Sequence, residues 1–85
     1  MRWYPVNIGE AVKARILELC QERGISVNRL CTYSGVTQST INNIVNGRNN
    51  STTVSTIKKL CDGLNITIED FFASDIFRDL EQEIK

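Results

Sequence analysis

Between residues 10 and 23 the apolar side chains Val12, Ile16, Leu19 and Cys20 return every three or four positions, while Lys13, Arg15, Glu18 and Glu22 fall elsewhere around the cylinder. That period predicts an amphipathic helix with its charged groups turned outward. Gly24 suits the stop, since the residue past a helix end commonly takes φ > 0. Ser26 then restarts the chain as the N-cap of a short helix over Val27–Ser34, with Val27, Leu30 and Cys31 inward. Gly35 turns the chain, and Thr37 caps a third helix whose inward residues are Ile41, Ile44 and Val45; Asn46-Gly47 ends it. After the polar loop Arg48-Asn49-Asn50-Ser51-Thr52, residues 54–63 form a fourth helix with Val54, Ile57, Leu60, Cys61 and Leu64 as its stripe. Thr67 caps a fifth turn containing Ile68, Phe71 and Phe72. Over residues 74–85, Ile76, Phe77, Leu80 and Ile84 line one side of a short helix, with the acidic residues mostly on the other. No strand pattern interrupts this order, so the expected fold is all-α, a bundle of five helices with a short C-terminal helical tail.

Length makes that bundle a single unit: 85 residues supply one small core, placed at about residues 9–73, with a tail at 74–85. A composition of 41% hydrophobic and 24% charged residues is that of a soluble globular domain, and no apolar run approaches the ~18–20 residues that span a bilayer. The start, Met1-Arg2-Trp3-Tyr4-Pro5, lacks the apolar core of a secretion signal, which points to the cytoplasm and away from membranes. Trp3, Tyr4, Val6 and Ile8 read as a cap on the core. Cys20, Cys31 and Cys61 are odd in number and form no CxxC, and the chain has no histidine, so neither a disulfide framework nor a metal site is expected. Without histidine, a glycine-rich phosphate loop or an activated nucleophile, nothing supports an enzyme or a cofactor, and no small-molecule ligand is expected.

Zero net charge argues at first against nucleic acid, because phosphates must be met by cations. The distribution changes this. Residues 1–66 carry eight basic against four acidic side chains, a net +4, whereas residues 67–85 carry two against six, a net −4. The body is basic and the tail acidic.

Two short helices joined by a glycine-containing turn, over about residues 26–46, make the helix-turn-helix arrangement. With Ile41, Ile44 and Val45 inward, the third helix projects Gln38, Ser39, Asn42 and Asn43 to solvent. Glutamine and asparagine amides make paired contacts to adenine in the major groove, so this face could read bases. A merely solvated helix face has the same composition, and the face alone does not separate the two.

Beyond that face, Gly24-Ile25-Ser26, Leu30, Gly35-Val36-Thr37, Ile41, Ile44, Asn46-Gly47, Leu60, Leu64 and Ile68-Glu69-Asp70-Phe71 keep a fixed spacing across four helices. In these positions, over about residues 16–72, the chain resembles the Cro/repressor-type (xenobiotic response element) helix-turn-helix family of bacterial and phage regulators. The resemblance implies a five-helix, lambda-repressor-like DNA-binding domain that acts as a homodimer on a palindromic operator. It puts Gln38, Ser39 and Asn43 at base-facing positions, with Thr37, Thr40 and Asn42 near them, and Arg48, Asn49 and Asn50 along the phosphate backbone. Double-stranded DNA is the implied partner, and repression by occupying a promoter the implied function.

Three positions depart from the family pattern. The family's usual glutamine at the first residue of the second helix is Val27 here, which leaves Asn28 as the amide that could brace the third helix and reach a phosphate. Ser51-Thr52-Thr53 replaces a proline. An ion pair between the first and third helices is replaced at both ends, by Cys20 and Val45, which are therefore expected to pack together; removing both charges avoids the cost of stranding one. Ile76, Phe77, Leu80 and Ile84 need a cover: either they fold back on their own core, or they meet a second copy across a two-fold axis, the favoured reading since it sets recognition helices about 34 Å apart. The competing function is a helical protein-interaction module, antitoxin-like or adaptor, acting through this tail.

Overall fold

The computed structural model describes residues 7–46, 52–78 and 80. Every element among them is helical: α1 (Ile8–Arg23), α2 (Val27–Ser34), α3 (Gln38–Val45), α4 (Val54–Leu64), α5 (Ile68–Phe72) and a 3-10 turn, Asp75–Phe77.

Each α-helix opens on a side chain that accepts one of its free amide protons, the arrangement that best offsets a helix start. Ser26, Thr37 and Thr67 do so at the expected places, and Thr67 forms a full capping box with Asp70. Asn7 and Thr53 cap α1 and α4, starting α1 two residues before the periodicity does. Gly24 and Asn65 close α1 and α4 in the left-handed region, at φ 64° and 61°.

Six fully buried side chains, Ile16, Leu30, Ile41, Leu60, Cys61 and Phe71, come from all five helices, so the core is a single cluster that no helix can leave without opening it. Cys20 is buried in this cluster and Val45 is half-buried against it, on the packed helices α1 and α3. Burial pushes the thiols of Cys20, Cys31 and Cys61 upward; at Cys20 the neighbouring Cys31 adds to the effect. They serve as small apolar residues.

Three expectations need correction. Arg15 does not face solvent: it is 9% exposed, lying one turn from Val12 and Leu19 inside the apolar stripe of α1. Its Nε donates to the Phe71 carbonyl and one Nη to the Asp70 carbonyl, both at 2.7 Å, and the other Nη pairs with Glu18 at 2.5 Å. A guanidinium can be buried there because main-chain oxygens at the end of α5 satisfy it. Val54 is 71% exposed, since it is the first residue of α4 and burial in that helix begins only at Ile57. The tail begins as a 3-10 turn rather than an α-helix, and Phe77 folds back on its own chain, stacking edge-on against Phe72 at 4.9 Å and lying 6.2 Å from Phe71. Ile76 and Leu80 are half-buried; Ile84, like Trp3, Tyr4 and Val6, lies outside the described residues.

Helix α2 packs most extensively on α4, and Gly63 of α4 sits at that seam. Within a helix, glycine costs up to ~1 kcal/mol relative to alanine.

Candidate nucleic-acid interface

Between the end of α2 and the start of α3 lie only Gly35, Val36 and Thr37. Gly35 takes φ 72°, a conformation that a Cβ would strain, and its amide donates to the Cys31 carbonyl at 3.0 Å. Val36 is buried, so the turn is nailed to the core. Thr37 then accepts the Thr40 amide at 3.2 Å and donates its hydroxyl proton to the Thr40 oxygen at 2.9 Å. The Thr40 hydroxyl proton is thereby left to point elsewhere.

With Ile41 and Ile44 buried, the opposite side of α3 is fixed outward: Gln38, Ser39, Asn42 and Asn43 are all exposed. The structure brings Asn28 to this group from α2, since the Gln38 amide nitrogen donates to the Asn28 side-chain oxygen. Asn28, not Val27, thus supplies the brace between the two helices; Val27 instead packs against the core. Thr37 is exposed and Thr40 half-buried at the same end. Arg48, Asn49 and Asn50 lie outside the described residues.

Helix α3 carries no charged side chain, so its exposed face offers only neutral donors and acceptors. Among the described residues no cluster of three metal-ligating side chains occurs, and no helix is long and apolar enough to cross a membrane. Arg15 lies on the buried side of α1 and not on the charged side that the periodicity predicts; the sequence signal for this is a cation within a run of apolar positions, at i+3 from Val12 and i−4 from Leu19.

Two short capped helices at a glycine turn, the second presenting amides outward from a buried aliphatic base, define a helix-turn-helix DNA-binding domain. The chain belongs to the Cro/C1-type HTH DNA-binding domain family, whose model matches residues 15–74; this is a family of DNA-binding domains, not of enzymes. It is similar to the HTH-type transcriptional repressor RghR of Bacillus subtilis (strain 168), 41% identical over 63 residues, which are 74% of this chain and 44% of that protein. A second relative in the same organism, the uncharacterized HTH-type transcriptional regulator RghRB, is 37% identical over 60 residues, 71% of this chain and 43% of the relative. The match thus spans under half the length of either relative. The crystal structure of the prophage Lp1 protein 11 superposes with a TM-score of 0.76 at 36% identity, covering 82% of this chain and 92% of that one.

Proposed function

We propose that this protein is a cytoplasmic, sequence-specific regulator of transcription that represses by occupying a palindromic DNA operator as a homodimer. The observation that carries the reading is the Asn28–Gln38 pair, which holds an exposed amide in one orientation at the start of α3. One Gln38 N–H is committed to Asn28. A single N–H and the carbonyl oxygen remain, one donor and one acceptor, the pattern complementary to adenine N7 and N6 in the major groove. Guanine presents two acceptors there and is matched less well by an amide already using one proton.

In this reading Gln38, Ser39, Asn42 and Asn43 face the bases. Asn28, Thr37, Thr40, Arg48, Asn49 and Asn50 contact phosphates, which position the helix without specifying sequence. Repression is supported by the likeness to RghR, named a transcriptional repressor. Dimerisation is supported by the apolar groups that folding leaves uncovered at the C-terminal end, Phe72 at 38% exposure beside half-buried Ile76 and Leu80. Phe77 contributes within its own chain, so in the dimer it backs the interface from below.

Selection from a random duplex library at low salt tests the function. The expected result is an enriched two-fold motif with adenine at fixed positions, lost on Gln38→Ala and Asn43→Ala. Retention without any enriched motif, unchanged in both variants, sinks the reading. Sedimentation of the chain alone and with the recovered duplex tests the dimer, which requires two chains per palindrome.

A further inference from the structure

Gly63 occupies the last turn of α4 in ordinary helical conformation, so no left-handed backbone explains the absence of a side chain there. Space does. A Cβ at this position would lie 2.9 Å from the Cα, the Cβ and the amide nitrogen of Ser34. Two of these three atoms are main chain and cannot swing aside. Ser34 is the last residue of α2, and its hydroxyl is tied twice: it donates to the Leu30 carbonyl at 2.7 Å and accepts the Val36 amide at 3.4 Å. From there Gly35, buried Val36 and the cap Thr37 lead directly into α3. A displacement of Ser34 therefore enters a turn with no slack and emerges at the first residue of the recognition helix.

We propose that Gly63 is a positioning residue for DNA reading. By letting the α4 backbone seat directly on Ser34 it fixes where α2 ends, and through the tied turn it fixes the angle at which α3 presents Gln38 and Asn43. The inference rests on the reading of α3 as the base-reading helix. It adds that this reading is set from α4, by a residue that is not part of the exposed face of α3. Alanine is the better helix former, so Gly63→Ala favours α4 locally while wedging it away from the turn. Packed elements transmit such a wedge as a rigid shift rather than absorbing it.

The test compares Gly63→Ala with the wild-type chain on two probes, the duplex that the wild type recovers from a random library and a shuffled duplex of the same composition. Loss of base register without loss of phosphate contact predicts a fall of about tenfold or more on the recovered duplex, with the shuffled duplex bound within about twofold of wild type. Asp62→Ala, an exposed neighbour on the same helix, serves as control: it frees Lys58 and shifts both affinities alike, leaving their ratio unchanged. An unchanged ratio of the two affinities in folded Gly63→Ala overturns the proposal, whether both fall together or neither moves. Should Gly63→Ala fail to fold, Ser34→Ala takes its place: it leaves Gly63 seated, unties the hydroxyl from Leu30 and Val36, and must lower the same ratio severalfold. If it does not, the proposal fails. A wild-type chain that enriches no motif overturns the base-reading function itself, and the inference with it.

Discussion

The helix-turn-helix and the seam between α1 and α5 satisfy their polar groups in opposite ways. Around the turn, partners are near in sequence: Thr37 with Thr40, Ser34 with Leu30 and Val36, and Gln38 with Asn28 ten residues away. At the seam a single guanidinium reaches carbonyls 55 and 56 residues distant and closes the domain around Phe71. Local bonding leaves one face of α3 free to meet another molecule, whereas the long-range clamp is consumed in holding the chain together. Substitutions at the seam should therefore cost stability with base choice intact, and those on the turn should cost base choice with stability nearly intact.

The largest effect belongs to the seam. Phe71 is fully buried and touches two other aromatic rings, so Phe71→Ala should lower unfolding free energy by about 3–5 kcal/mol in urea titration. In a domain this small that approaches the whole stability. A loss below about 1 kcal/mol would mean that the three phenylalanines do not close the core.

Next comes Arg15→Met, which keeps the apolar stem and removes the donors, stranding the Phe71 carbonyl and leaving the Asp70 carbonyl with the Ala73 amide alone. A loss of about 2–3 kcal/mol is expected from such stranding. Glu18→Ala should cost under about 1 kcal/mol, because that carboxylate is 42% exposed and its pairing is screened by water. Equal losses in the two variants would assign the clamp to the ion pair and not to the main-chain oxygens.

What could be foreseen follows the same division. Ser26, Thr37 and Thr67 were legible as caps, and Gly24 and Gly35 as stops, because each acts on backbone groups within four residues. The outward amides of α3 followed from the spacing of Ile41 and Ile44. The burial of Arg15 is hard to read from sequence because its partners are main-chain carbonyls, which every residue carries and no sequence pattern marks. Val54 fits the periodic stripe but precedes the part of α4 that meets the core, a boundary set by tertiary packing. The spacing of Phe77 fits a helical tail, yet Ser74 caps a 3-10 turn at Ile76 and the ring folds onto Phe72. Asn28 lay between these cases: its residue type was suggestive, but only the crossing of α2 and α3 brings it to Gln38.

On the turn, Gln38→Ala removes an exposed side chain whose hydrogen-bond partner, Asn28, is exposed too, so unfolding free energy should stay within about 0.5 kcal/mol of wild type. Binding to the recovered duplex should weaken by about 1–3 kcal/mol, with adenine preference lost at one position per half-site and the others kept. Uniform weakening across all positions would instead make Gln38 a phosphate contact and break the contrast between the two regions.

The smallest effect expected is also the most discriminating. Asn28→Ala frees the Gln38 amide without removing it, so binding should weaken by only about 0.5–1.5 kcal/mol, the net worth of one hydrogen bond. The second N–H of Gln38 becomes available, and an amide with two free donors no longer disfavours guanine's paired acceptors; discrimination at the Gln38 position should therefore relax toward guanine. In the Gln38→Ala background the same Asn28 substitution should have no effect on base choice, because the orientation it sets no longer exists. A double-mutant cycle on the adenine and guanine duplexes separates this from an independent phosphate contact by Asn28. Additive losses on both duplexes would show that the two amides act alone, and the donor and acceptor that Gln38 offers would then be set by the DNA and not by the protein.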